Sequence, residues 1–135
     1  MNSEEIVLQT GALAGVFDIT SDLSRFTSTL GDGLLSVFVP HATAGVALME
    51  VGAGSDDDLL TAIDDLFPAE RGRWRHEHGS LGHGRDHVLP AFVSPSLTIP
   101  VVAGSLALGT WQSVVLVDTN VDNQTRKVRL TFIPG

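Results

Sequence analysis

Residues Ser96–Ile133 read SLTIPVVAGSLALGTWQSVVLVDTNVDNQTRKVRLTFI, and this stretch decides the fold class. β-branched and aliphatic residues dominate it, and small or amide-rich breaks interrupt it, which is the composition of strands joined by turns. The spacing predicts four strands, Ser96–Val101, Leu106–Thr110, Trp111–Asp118 and Lys127–Ile133, with turns at AGS and NVDNQT. The last strand alternates, Val128, Leu130 and Phe132 facing a core while Lys127, Arg129 and Thr131 face outward. Consecutive strands of this kind predict an antiparallel meander.

Upstream, Glu5–Thr10 and Val16–Ile19 read as short strands. A helix capped by Thr20 or Ser21 comes next, with Leu23, Phe26 and Leu30 at helical spacing and Gly31 and Gly33 closing it. Leu34–Pro40 is continuously apolar and reads as a strand buried on both faces. HATAG (His41–Gly45) makes a turn into a second strand over Val46–Glu50. SDDDLLTAIDDLFP predicts a helix with Leu59, Ile63 and Leu66 on one stripe and Pro68 ending it. Ser55 and Asp58 resemble a capping box. Asp56, Asp57 and Asp58 suit the positive end of the helix dipole better than a metal cluster. No repeat or linker divides the chain. The expectation is one domain, residues 1–135, of the α+β class: a mainly antiparallel sheet, sandwich or partial barrel, with two main helices.

Composition narrows the function classes. A formal net charge of −8 disfavours nucleic acid, whose phosphates call for Lys and Arg. No apolar run reaches the ~20 residues a membrane helix needs, and the acidic start MNSEEIVLQTG lacks the pattern of a signal peptide. With no cysteine there are no thiolate ligands or nucleophiles, and a cytoplasmic location is expected. Any metal must use His, Asp or Glu.

WRHEHGSLGHGRDHVLP (Trp74–Pro90) holds four of the five histidines, His76, His78, His83 and His87. It lies in a stretch, residues 69–90, without a hydrophobic period. Structureless stretches longer than ~12–15 residues tend to be functional or disordered. His76 and His78 would share one side of an extended segment, and His83 and His87 one face of a helix, although Gly82 and Gly84 disfavour that helix. Either pair is a ligand pair or a chance spacing. His41 comes directly after a strand, as a rigidly placed ligand or as a histidine bonded to the next turn. Glu50 and Asp118 are the candidate carboxylates. Seven of the eight basic residues cluster, at Arg71, Arg73, Arg75 and Arg85 and at Arg126, Lys127 and Arg129. They form either a solvated face or one anion pocket.

The stretch Ser96 to Asp118 also resembles the signature of the YjbQ family. Ser96, Leu97, Ile99, Pro100 and Val101 match its first block, and Gly104, Leu106 and Leu108 lead to Gly109-Thr110-Trp111-Gln112 and an acidic residue, here Asp118 where the family usually has Glu. HATAG with Met49-Glu50 is similar to the family's His-Thr-Ser-Ala-Gly and Asn-Glu, without the asparagine. His76 and His87, eleven residues apart, and Ser96, nine residues beyond, repeat the family's spacing. The acidic pair that the family carries before the second histidine is replaced here by Gly82 and His83.

The resemblance implies a homotrimer acting as a secondary thiamine-phosphate synthase. Such an enzyme joins an aminopyrimidine diphosphate to a thiazole phosphate and releases pyrophosphate. It further implies a divalent metal, zinc first and magnesium as the alternative with a diphosphate substrate, on His41, His76 and His87. His78 and His83 read as loop or supporting residues, His83 being the one that could replace the missing acid as a ligand. Glu50 and Asp118 would be catalytic. Arg126, Trp111 and Gln112 would bind substrate, Trp111 by stacking unless it belongs to the core. The partner would be a phosphorylated small molecule, with no nucleic acid and no membrane. The alternatives are a non-catalytic trimer that binds a metal or phosphometabolite, and a structural trimer.

Overall fold

A computed structural model describes residues 1–135. Eight strands form two antiparallel sheets. β1 (Asn2–Gln9), β8 (Thr125–Pro134), β3 (Gly33–Phe38), β5 (Ser96–Val102) and β6 (Ser105–Leu106) lie in that order in the larger one. β2 (Gly15–Asp18), β7 (Ser113–Asp118) and β4 (Ala44–Met49) form the smaller. Helices α1 (Thr20–Thr27) and α2 (Ser55–Leu66) are the two main helices, and α3 (His83–Asp86) is a single turn. No helix is long and apolar enough to cross a membrane.

The expected meander is broken by β7. Only β5 and β6 form a hairpin; Ala107–Trp111 is irregular, and β7 crosses into the smaller sheet while β8 returns to the larger one. The cause is in the strand itself. Val114 to Val117 are apolar without interruption, so β7 needs cover on both faces and cannot lie in a half-exposed sheet. Val114 and Leu116 face the larger sheet and pack with Leu35, Val37, Ile99, Val128, Leu130 and Phe132. Val115 and Val117 face the other way, against Ile63 of α2 and Leu89. The result is three layers: the larger sheet, the smaller sheet, and α2 with the histidine-bearing segment beyond it. β8 keeps the predicted alternation, Val128, Leu130 and Phe132 being buried.

β3 is less buried than its composition suggests. Leu35 and Val37 are in the core, but Leu34 and Phe38 are each 44% exposed on the outer face of the larger sheet. The helix starts also differ from expectation. Asp18, before α1, accepts from the Thr20 amide, and neither Thr20 nor Ser21 caps the helix. α2 begins at Ser55 after a left-handed Gly54, so Ser55 lies inside the first turn and does not cap it.

A buried ion pair closes one end of the core. Arg126 on β8 and Asp118 at the end of β7 are each 1% exposed. Arg126 Nε donates to Asp118 Oδ2 at 2.7 Å and Nη2 to Oδ1 at 2.9 Å, a two-pronged contact, and Nη2 also donates to Thr43 Oγ1 at 2.8 Å. The pair ties β7, β8 and the turn before β4. Gly45, at the start of β4, has no room for a side chain, because a Cβ would strike the Val93 carbonyl. Removing one partner of such a pair strands a buried charge. Asp118→Ala is expected to lower unfolding free energy in urea by about 3–5 kcal/mol; a loss below ~1 kcal/mol would contradict the assignment.

Candidate metal centre

Thr119 and Asn120, directly after β7, hold the histidine segment to the rest of the protein. Strand alternation turns Asp118 to the same side as Leu116, where Arg126 lies, and Thr119 to the side of Val117, where the segment lies. Thr119 Oγ1 donates to Asp86 Oδ1, and Asn120 Nδ2 donates to Asp86 Oδ2 at 3.1 Å. Arg85 Nε donates to Asp86 Oδ1 at 2.9 Å, and its Nη1 reaches Asp64 Oδ1 at 2.9 Å and the Phe67 carbonyl at 3.0 Å. The buried Arg85 and Asp86 thus clamp α3 between α2 and the end of β7.

Glycines allow the approach. Gly82 is left-handed (φ 87°) and starts α3. A side chain on Gly84 would strike the His76 carbonyl and Trp74 Cβ, so the bare glycine lets α3 lie on the segment carrying His76. The glycines that weaken a helix in isolation therefore make this one fit.

His83 and His87 then project from one face of α3 and meet His76. One nitrogen from each of these three residues lies within 4.8 Å of the others. Nitrogens held 2.0–2.1 Å from a tetrahedral zinc are ~3.4 Å apart, so the spread is close to what a cation would draw together. His83 Nε2 and His87 Nε2 face each other at 3.1 Å. Two imidazole lone pairs at that distance need a proton or a cation between them. His78 adds a fourth ring, its centroid 4.4 Å from that of His76 and 4.6 Å from that of His83. His76 and His87 are exposed, and His83 is half-buried. The adjoining hollow is lined by Glu70, Arg71, Trp74, Glu77 and Ser80, with the rings of His76, His78 and His83 on its wall.

The residues expected at the site divide sharply. His76 and His87 come together, and His83, read from sequence as a supporting residue, completes the trio. His41 is not in this cluster: its Nε2 accepts the Lys127 amide at 2.9 Å, so it is the strand-end histidine bonded to neighbouring backbone. Asp118 and Arg126 are occupied by each other, which leaves neither as an open base or phosphate holder in this chain. Glu50 is exposed just beyond β4 and does not line the hollow. Trp111 is 74% exposed, so it belongs to no core in the isolated chain, and Gln112 Oε1 accepts the Gly109 amide in the same turn; neither lines the hollow. Asp86, Asn120 and Asp122 were not legible. The NVDNQT turn carried only ordinary turn chemistry, and Asp86 was hidden among the histidines.

This architecture recurs in known proteins. The family model described as "UPF0047 protein YjbQ-like" matches residues 4–135. The chain belongs to the YjbQ family. A UPF0047 protein of Mycobacterium tuberculosis strain H37Rv is 57% identical over 120 residues, covering 89% of this chain and 90% of the relative. A UPF0047 protein of Archaeoglobus fulgidus is 31% identical over 125 residues, covering 92% and 95%. Among solved structures, a hypothetical protein of Aeropyrum pernix K1 superimposes with a TM-score of 0.89 at 31% identity, covering 100% of both chains. A YbjQ-like protein of unknown function from Sulfolobus solfataricus P2 gives 0.90 at 24% identity, covering 99% and 97%, a likeness of fold.

The electrostatics favour the neutral form of His76 and His87. Desolvation, then the neighbouring His78 and His83, hold His76 below the ordinary histidine value of 6.5. Desolvation, then His76, His83 and His78, lower His87, opposed by Asp86. The unfolded chain, with histidines at their ordinary value, therefore binds these protons first as pH falls. The contribution of both rings to stability is present above pH 6.5 and declines as pH drops below it. NMR titration of the metal-free protein should give midpoints below 6.5 for both; midpoints at or above 6.5 would contradict the packed-ring geometry.

Proposed function

We propose that this YjbQ protein is a metal-assisted enzyme acting on a phosphorylated small molecule, with His76, His83 and His87 holding a divalent transition metal, zinc first. The observation that carries the reading is the meeting of three imidazole nitrogens within 4.8 Å. The donor set fits such an ion: three nitrogens and no carboxylate suit zinc, cobalt or nickel better than magnesium, which takes oxygens. Bound there, the ion would supply Lewis acidity and charge neutralisation to a phosphate or diphosphate.

The chain's own residues would do the rest. Arg71, exposed and lining the same hollow, would pair with phosphate oxygens in the role that the resemblance implies for Arg126. Trp74, whose Nε1 donates to the Pro68 carbonyl at 2.9 Å, lends the hollow a fixed aromatic wall. Ser80 offers a hydroxyl at its edge.

Thiamine-phosphate synthesis is the reaction to test first. In it a C–N bond forms between the pyrimidine methylene and the thiazole nitrogen, the C–O bond to diphosphate breaks, and pyrophosphate leaves. A cytoplasmic setting and a homotrimer belong to the same proposal. Leu34, Pro100 and Ile133, cross-strand neighbours exposed on the larger sheet, offer self-association an apolar surface. The second reading, a non-catalytic metal or phosphometabolite binder, is favoured by one fact: neither Glu50 nor Asp118 stands at the histidines as a base.

Metal analysis and turnover separate the readings. The purified protein is expected to retain about one zinc per chain, and His83→Ala to lose it. Pyrophosphate release from the two thiamine precursors should disappear in the same variant. Metal retained without turnover would support the binding reading. No retained metal in the parent protein, or full retention in His83→Ala, would overturn the proposal.

A further inference from the structure

The turn between β7 and β8 reaches back to the histidines through Asp122. Its Oδ2 lies 2.7 Å from His83 Nδ1 and accepts the Ser80 hydroxyl at 2.9 Å and the Ser80 amide at 3.3 Å. The contact is built for close approach. Gly79 is left-handed (φ 72°), and a Cβ there would lie 2.9 Å from Asp122 Oδ2 and 3.3 Å from His83 Nδ1. No side chain except hydrogen leaves Asp122 this position.

A second group competes for the same ring atom. Asn120 Nδ2 is 3.2 Å from His83 Nδ1. An amide N–H can only donate, so that contact requires a bare Nδ1 and places the ring proton on Nε2. The Asp122 contact requires the reverse, a proton on Nδ1 and a lone pair on Nε2. The carboxylate contact is shorter and charge-assisted, and Asn120 Nδ2 has Asp86 Oδ2 as its other acceptor. The Asp122 arrangement therefore prevails.

We infer that Asp122 is a positioning residue that fixes the His83 tautomer, leaving Nε2 as the lone pair presented to the metal centre. The inference rests on the proposed metal site but concerns an atom of the metal-free protein. Nε2 is the nitrogen that faces His87, so it is the one able to ligate with its neighbours. A ligating histidine whose other nitrogen donates to a carboxylate gains orientation and basicity, and losing such a partner costs typically 10–100-fold in metal affinity. The three donors on Asp122 Oδ2, His83 first and then Ser80, hold its carboxyl below the usual carboxylate value, in keeping with an ionised acceptor.

Asp122 also anchors the loop through Ser80, so the test must read the tautomer as well as affinity. Nitrogen-15 NMR of the metal-free protein should show His83 with its proton on Nδ1. Asp122→Ala should move that proton to Nε2, as Asn120 takes over Nδ1, and weaken zinc binding roughly 10–100-fold. Asp122→Asn keeps an oxygen acceptor and should restore the tautomer and most of the affinity. Ser80→Ala removes one anchoring bond without touching the His83 acceptor and should leave the tautomer as in the parent. A parent protein with the proton on Nε2 would overturn the inference. So would Asp122→Ala with an unchanged tautomer, whether or not affinity falls, since the carboxylate would then be only a loop anchor. A parent protein showing the Nδ1 proton yet taking up no zinc would sink the metal centre and leave the tautomer lock standing.

Discussion

The buried Asp86 carboxylate, gripped by Thr119, Asn120 and Arg85, is the constraint on which the candidate centre depends. A carboxylate removed from water must find donors, and here they come from the end of the most buried strand and from its own helical turn. The consequence is positional. Asp86 lies between His83 and His87 in sequence, so fixing its side chain inward aims the two flanking rings at the neighbouring segment. Arg85 extends the clamp to α2. A region without regular strands or long helices thereby acquires a defined shape before any ligand arrives.

β7 distributes the chemistry of the molecule between its two faces. Its even-numbered residues run from the core to Asp118 and the Arg126 pair; its odd-numbered residues run to Thr119 and the histidine segment. The Arg126 pair is structural in this chain, consuming a cation and a carboxylate that could otherwise serve a substrate. The histidine side carries its rings at or near the surface, beside an open hollow. The inner face of the larger sheet, β8 and β1 included, is the base on which β7 is laid.

Much of the fold was legible because strand composition is a local signal. The inward residues of β8, Leu59 and Ile63 on α2 and the stop at Pro68 all come from periodicity and breaker chemistry, whereas Leu66, expected on the same stripe, is 68% exposed. What periodicity could not show was sheet membership: Val114–Val117 declares a strand buried twice over, yet which sheet receives it depends on α2, far away in sequence. The site was legible in part. His76 and His87 were marked by the spacing they share with the family, while His83, without a counterpart there, was read as a loop or supporting residue that could replace the missing acid, and Gly82 and Gly84 argued against the helix face it shares with His87. The close passage of Gly84 over His76, visible only in three dimensions, reverses that argument. His41 was drawn into the expected trio by its position at a strand end, and the Lys127 amide accounts for that position instead.

The central claim is that His76, His83 and His87 share one cation. Anomalous diffraction at the zinc edge, on crystals of the protein grown with zinc, tests it most directly. The account predicts a single strong peak about 2.0–2.1 Å from one nitrogen of each of these three rings. A peak that instead sits on His41, or zinc bound by only one of the three rings, would contradict it.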